Sequence, residues 1–407
     1  MTTYLTRRVS QSIIFMLLAG LLIYTGLIMY MPDGPGYNYN KIREMMSESS
    51  GSQAPGGGRP VFSGPLEGFD EIYKLDHPWP LNFFVWLFDP DSTSRIIYDI
   101  QGSEVSIPKG IDISIGSLRL RGSGFLTGDF GESLGFAGST PISEIFAARW
   151  LNTFILLTTS LGATLLIGIP MGMIGAMRQR GSIDNVFTFL SLGGLSTPPF
   201  MLGLLLIIFM AVLPKTLRDQ LGWTWLPWLP AGGTGNEQFG SRAAHVFLPA
   251  ATLAIPQIAW ISRYARFALL DVLGQDYIRT AWAKGLGAGR VVFKHAMRNA
   301  LIPVITQVTL SVPALVSGAV AIETVFAYEG MGKVFYRAVG GCLATVGSFS
   351  QEPPPCPRSG YVPIDYPLAM VLLMIMVIIV ALANIVADIL YAMADPRINY
   401  ASANKKG

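Results

Sequence analysis

The sequence predicts an all-α polytopic membrane protein: six transmembrane helices with a small β-rich external insertion. Three observations lead there. Of 407 residues 51% are hydrophobic and only 14% charged, against about a quarter charged in a soluble domain. Six apolar runs approach the ~20 residues that cross a hydrocarbon core of ~30 Å. Between the first two runs, short stretches alternate apolar and polar residues at period two.

The six expected spans are Val9–Met31, Trp150–Met177, Val186–Leu213, Ala243–Ile261, Leu301–Phe326 and Leu368–Met393. The first follows Arg7 and Arg8 and reads as an uncleaved anchor. Its apolar part is longer than a signal peptide's, and "MYMPDG" after it offers no small-x-small cleavage site. The fourth is the shortest and holds His245, Pro249, Pro256 and Gln257. Proline is tolerated in membrane helices where neighbours satisfy the freed carbonyls. In the third, "GLSTPP" makes Ser196 a helix-bending cap ahead of Pro198 and Pro199.

Orientation follows from the basic residues, because cytoplasmic loops are enriched in Lys and Arg. An N-terminus inside gathers Arg178, Arg180, Arg263, Arg266, Arg279, Lys284, Arg290, Lys294 and Arg298 on the cytoplasmic side with both tails. The basic density there is about two and a half times that outside. Both termini are therefore expected in the cytoplasm.

The chain divides into a tail and first helix (1–31), an external loop (32–148) and a core with five further spans (149–398). A cytoplasmic tail (399–407) ends it. The loop opens on the Ser/Gly/Pro linker "SESSGSQAPGGGRP" and holds the β-rich insertion, about 89–124. "HPWPLNFFVWLFDP" and "GWTWLPWLP" read as interfacial aromatic belts or re-entrant covers. Cys342 and Cys356 share an external loop before the last span and are a candidate disulfide. No His/Cys/acid grouping suggests a metal site, and no nucleic-acid partner is expected.

The most informative segment is the basic loop 263–300. In "DYIRTAWAKGLG" Asp276 suits a helix start, Lys284 suits its C-terminal end, and Gly285 and Gly287 stop it. Tyr277, Thr280, Ala281 and Lys284 share one face. Small Thr280 and Ala281 leave room there for another surface, with Ile278 and Trp282 turned back to the protein. A docking helix results.

"DYIRTAWAKGLGAGRVVFKHAMRNALIP" resembles the cytoplasmic signature of ABC-transporter permeases in its dipeptide/oligopeptide/nickel form. The matches are Asp276, Tyr277, Arg279, Thr280, Ala281, Ala283, Lys284, Gly285, Leu286, Arg298, Asn299, Ala300 and Pro303. "ETVFAYEGMGK" resembles a second family pattern, with Glu329 where proline is usual. "LDHPWP", "GDFGESL" and "LYAMADPRI" resemble its outer loop and C-terminal end, while the insertion has no counterpart.

The resemblance implies a type I ABC importer permease of a prokaryotic cell membrane, working by alternating access. Residues 276–286 would form the ATPase-coupling segment. Partners implied are a second homologous permease, two cytoplasmic ABC ATPase subunits and an extracytoplasmic substrate-binding protein, besides membrane lipid. Substrates implied are peptides, with nickel, glutathione-like peptides or oligosaccharides as family alternatives.

No cofactor is expected on this chain, ATP and magnesium belonging to the ATPase partners. "AYEGMGKV" around Lys333 fails the P-loop pattern, with Ala327 at the first glycine and Val334 after the lysine. Two rival functions have weaker support. An intramembrane serine protease would use Ser196 with a base in hydrogen-bond reach, but of His77, His245 and His295, His295 falls in the cytoplasmic loop and His245 opens the fourth span with no partner motif. An ion-coupled carrier would hold ionisable groups mid-span, whereas Glu323 and Asp388 lie near span ends. Interior polar candidates for a substrate pathway are Asn152, Gln257 and Gln307.

Overall fold

The computed structural model describes residues 2–30, 83, 87, 96–98, 104–106, 113–115, 118–120, 130, 132–133, 140–221, 229–236, 238–339 and 365–394. Cys342, Cys356, His77, the Ser/Gly/Pro linker and the C-terminal tail lie outside the described residues, as does most of both aromatic stretches.

Eleven helices of eight or more residues order the described chain: α1 (Thr2–Tyr24), α2 (Ile142–Ala163), α3 (Ile169–Met177), α4 (Ser182–Ser196) and α5 (Pro199–Ile207). They continue with α6 (Leu213–Leu221), α7 (Phe239–Leu273), α8 (Asp276–Ala283), α9 (Met297–Val325), α10 (Met331–Ala338) and α11 (Tyr366–Ala394). π-helical turns at Thr164–Gly168 and Ile208–Val212 fuse α2 to α3 and α5 to α6. Six resulting rods are long and apolar enough to span: Val9–Leu27, Ile142–Met177, Pro199–Leu221, Gly240–Leu273, Val291–Val325 and Leu368–Val386.

Two expected spans are corrected. The third, Val186–Leu213, is not one helix. It breaks at Thr197 (φ −94°, ψ 122°) into α4 and α5. The residue before a proline is driven from the α region, and Pro198 and Pro199 supply no N–H to continue the ladder. The spanning rod is Pro199–Leu221 instead. The fourth, expected as the short Ala243–Ile261, is the 35-residue α7, which runs unbroken through Pro249 and Pro256 and carries Arg263 and Arg266 on helix. Its length, about 52 Å at 1.5 Å per residue, exceeds the hydrocarbon core, so its charged end projects beyond it.

Within the external insertion two separate hairpins are described. Ile96–Tyr98 pairs antiparallel with Glu104–Ser106, and Ile113–Ile115 with Leu118–Leu120. Three-residue ladders that join no common sheet do not make a β-rich unit, and the fold class rests on the helices.

Helix α7 is the central pole. Apolar side chains gain little from meeting each other rather than lipid, so membrane helices associate by close packing through small residues. A Cβ on Gly172 of α3 would overlap the Ser262 carbonyl oxygen of α7, and one on Gly168 would come within 3.3 Å of the Ile258 oxygen. On α4, a Cβ at Gly194 would stand 3.3 Å from Ala259 Cβ, beside a Ser191–Ser262 hydroxyl contact of 3.2 Å. Gly318 of α9 faces Leu253 in the same manner.

Around this pole the core has three parts. Near one end α1, Phe83, Leu87, the start of α2, α10 and α11 pack together, with Tyr24 edge-on to Phe83 at 5.7 Å. The middle is built from Leu156, Leu248, Leu253, Leu315, Ile322 and Phe326. The far end joins α3 and α7 to α8 and the start of α9.

At that far end the α3–α4 turn is fastened to α7. Arg266 Nε and Nη2 donate to the two oxygens of Asp184 at 2.7 and 2.8 Å, and the Arg180 N–H adds a third bond at 2.9 Å. Asp184 is buried. The Arg266 guanidinium holds its carboxyl below the usual carboxylate range.

Two outcomes follow from this packing. Gly172→Val forces α3 away from α7 and lowers thermal stability in detergent by about 1–3 kcal/mol, as overpacking does. Gly162→Ala, where an added Cβ meets nothing within 4 Å, leaves the melting curve in place. Asp184→Asn removes a charge-assisted pair, a loss of about 2 kcal/mol at neutral pH. Because the folded carboxyl titrates below its unfolded value of about 3.9, the pair's contribution is complete above that pH and fades as pH falls further. The stability gap between wild type and Asp184→Asn therefore closes on acidification below about pH 4. A gap constant across that range excludes the ion pair as its cause.

Candidate functional site

The segment that sequence reading singled out forms its own short helix between the two longest ones. Gln275 precedes it in extended conformation (ψ 149°), and Asp276 occupies the first turn, where the exposed N–H groups favour an acid. Thr280 Oγ1 donates to the Asp276 carbonyl at 3.0 Å, and Arg279 pairs with Asp276 at 3.5 Å in solvent. The end is set by Lys284 (φ −79°, ψ 6°) and Gly285. Gly285 takes the left-handed φ of +74° that stops a helix at low steric cost, and its N–H bonds the Trp282 carbonyl at 2.9 Å.

The face assignment is corrected. Ile278 turns inward as expected, but Ala281 is buried beside it, and Trp282 is 45% exposed. Ile278 and Ala281, three residues apart, pack into the cluster formed by Val272, Val291 and Val292. Ala281 is small so that α8 sits close on its own protein. The outward surface comprises Asp276, Tyr277, Arg279, Thr280, Trp282, Ala283, Lys284 and Gly285, with Leu286 half-buried.

Two contacts make α8 rigid with its neighbours. The inward pair joins it to both flanking helices, and Asn299 Nδ2, near the base of α9, donates to the Tyr277 hydroxyl at 2.8 Å. Asn299 belongs to the matched motif, and its role was not legible from spacing alone.

At the other end of the bundle a polar cluster fixes the α9–α10 turn to α2. Glu323, fully buried, accepts from Thr153 Oγ1 at 2.7 Å and from the Lys333 N–H at 3.0 Å. Gly330 lies so close that a Cβ would overlap the Glu323 carboxylate. Thr153 in turn accepts the Met331 N–H at 2.8 Å. Glu329 pairs with Arg149 and with Lys333, each at 2.6 Å. Tyr328 completes the turn, its phenol pushed up to about 12 by burial.

The three pathway candidates part company here. Asn152 Nδ2 donates to the Glu329 carbonyl at 2.6 Å, so its amide is spent on the turn. Gln307 Oε1 accepts from Trp260 Nε1 at 3.3 Å, and Gln257 stands one turn before Trp260 on α7. The hydrolase reading finds no geometry. His245 Nδ1 is 2.8 Å from its own helix's Ser241 carbonyl, while Ser196 sits exposed at the end of α4 with no base beside it among the described residues.

Known proteins similar to this chain are membrane components of transport systems. The family model described as "Binding-protein-dependent transport system inner membrane component" matches residues 168–400. The chain is 42% identical over 277 residues to the oligopeptide transport system permease protein AppB of Bacillus subtilis, covering 67% of this chain and 77% of that one. It is 36% identical over 287 residues to the dipeptide transport system permease protein DppB of Haemophilus influenzae, covering 68% and 78%. Among solved structures, an inward-facing form of the MetNI methionine ABC transporter aligns at 18% identity and TM-score 0.46, covering 63% of this chain and 99% of that one. The matched region takes in α7, the signature helix α8 and α9, and the chain belongs to the family of binding-protein-dependent transport system inner membrane components.

Proposed function

We propose that this chain is one of two related permease subunits of an ATP-driven peptide importer. Its relatives AppB and DppB carry oligopeptide and dipeptide transport in their names, which supports peptides as the cargo. Its termini and α8 lie in the cytoplasm, where two ATPase subunits grip the outward surface of α8. A substrate-binding protein delivers cargo at the opposite face, and a second permease completes the pathway.

The observation that carries this reading is the mounting of α8. A helix with Ile278 and Ala281 sunk in the α7–α9 cluster and Tyr277 bonded to Asn299 cannot move without carrying both long helices. Its other face presents an aromatic, a hydroxyl and both signs of charge to a partner, as helix-in-groove docking requires. Closure of the ATPase pair then tilts α7 and α9 together, opening the pathway to one face, and hydrolysis returns them. The chain supplies no phosphate-binding loop, so the energy comes from outside it.

Thr280 is exposed, and at Gly285 an added Cβ meets nothing within 4 Å, although the left-handed φ of +74° costs a non-glycine residue about 1 kcal/mol. Thr280→Arg and Gly285→Arg should therefore insert and assemble while blocking the docking surface. In proteoliposomes holding all partner subunits, each variant lowers peptide uptake at least about tenfold, the loss typical of a hot-spot contact. Full uptake by both would remove the docking assignment. Ala281→Arg is a different experiment, since it drives a charge into the core and fails by misfolding.

A further inference from the structure

The six rods do not all show lipid the same kind of surface. Along α2–α3, α4 and α5–α6 the outward side chains are large and apolar: Leu166 is 78% exposed, Phe189 75% and Phe209 57%. The outward face shared by α7 and α9 also shows Phe267 and Leu310, but it adds polar groups. Gln257, Trp260 and Tyr264 follow one another at i, i+3 and i+7 on α7 and so lie on one face. Trp260 is 43% exposed, its ring centroid 5.2 Å from that of Tyr264, and its indole N–H reaches Gln307 of α9.

Depth gives this group its meaning. Gln257 lies about two turns inside the charged end of α7 that begins at Arg263, and Gln307 more than two turns beyond Arg298 on α9, so both stand within the spanning part of their rods. Tryptophan and tyrosine favour the membrane interfaces, and an amide with unmet hydrogen bonds within the bilayer costs several kcal/mol in hydrocarbon. The hydroxyls of this face are already satisfied: Thr306 and Thr309 donate to their own helix at Ile302 and Ile305, and Ser317 to Ala314. The two glutamines are not. Gln257 makes no side-chain hydrogen bond within the described residues, and the Gln307 NH2 has no acceptor among them.

We propose that Gln257 and Gln307, flanked by the Trp260 and Tyr264 rings, form an intramembrane contact for an amide-bearing solute in a water-filled pathway. A primary amide offers one acceptor and two donors, matching the C=O and N–H of a peptide backbone whatever its side chains. The rings supply apolar surface that tolerates a variable side chain. Sequence-independent contact of this kind suits a pathway that passes many peptides, and the four side chains are themselves uncharged, with Arg263 the nearest cation along α7. The inference rests on the peptide-importer reading above, yet its test needs no uptake measurement.

In a Cys342→Ser, Cys356→Ser background, Gln257→Cys, Gln307→Cys and Leu166→Cys are each assembled with all partner subunits in proteoliposomes. They are then exposed to a charged methanethiosulfonate and, separately, to a lipid-soluble maleimide. Gln257→Cys and Gln307→Cys should react with the charged reagent at least about tenfold faster than Leu166→Cys, as water access within the span demands. A saturating tripeptide with its binding protein should slow both. Reaction with the maleimide alone would place the cluster against lipid and overturn the proposal. So would silence to both reagents in the complex with reaction in the isolated chain, which marks a permease–permease interface. Trp260→Cys provides a second reporter if either glutamine variant fails to assemble. If labelling holds but tripeptide neither protects nor is imported, the pathway stands and the peptide assignment falls.

Discussion

Everything in this bundle depends on how closely its helices can approach α7. In hydrocarbon the hydrophobic effect gives helices no reason to prefer one another over lipid, so contact must be won by shape. Glycine at 168 in the turn before α3, at 172 on α3, at 194 on α4 and at 318 on α9 lets three helices settle against one pole. The same close contact lets α7 keep Pro249 and Pro256 without breaking, since its neighbours bury it along its length. Where no such neighbour intervenes, at Thr197–Pro198, the same residue type ends a helix.

A pole packed in this way transmits displacement. Near its Phe239 end, the glycine loop bonds the Gly233 N–H to the Phe326 carbonyl at 2.9 Å, and Glu323 ties α9, α2 and α10 into one cluster. Near its Leu273 end, Arg266 is forked onto Asp184 and α8 is wedged under both α7 and α9. Neither end can rotate alone without breaking buried polar contacts, each far costlier to leave unpaired than to keep. A push delivered to α8 is therefore felt as motion of the α7–α9 pair, the two helices that present the unmet amides.

Much of this was legible in the sequence. Composition and run length find six spans in number, though not the bounds of the third and fourth, because hydrocarbon admits few alternatives. The helix at Asp276 is signalled by its own start and stop residues, down to the left-handed Gly285. What escaped was what neighbours decide. Ala281 read as a gap for a partner, because a small side chain looks the same whether it makes room outside or lets a helix sit close inside. The fourth run looked weakest because its prolines and polar residues were weighed without the helices that cover it. Asp184 and Arg266 sit 82 positions apart, a pairing no local pattern encodes, and Asn152 read as a pathway group when its amide was committed to the Glu329 carbonyl.

The placement of charge argues for a driven pathway over a self-powered one. A carrier that couples to ions needs an ionisable group that changes state within the membrane. Among the described residues, the charged groups of the six rods gather toward their ends: Glu144 and Arg149; Lys215, Arg218 and Asp219; Arg242 at one end of α7 and Arg263, Arg266 and Asp271 toward the other; Lys294, Arg298 and Glu323. The buried acid nearest a span, Glu323, is already held by a hydroxyl and a backbone N–H, and its neighbour Glu329 by two cations, so these partners serve the turn and not a moving ion. The α7–α9 face between those ends is left to amides and aromatic rings, which can touch a solute but cannot do work on it. On the function proposed above, work enters at α8, whose outward surface is charged and whose inward face is rigidly mounted.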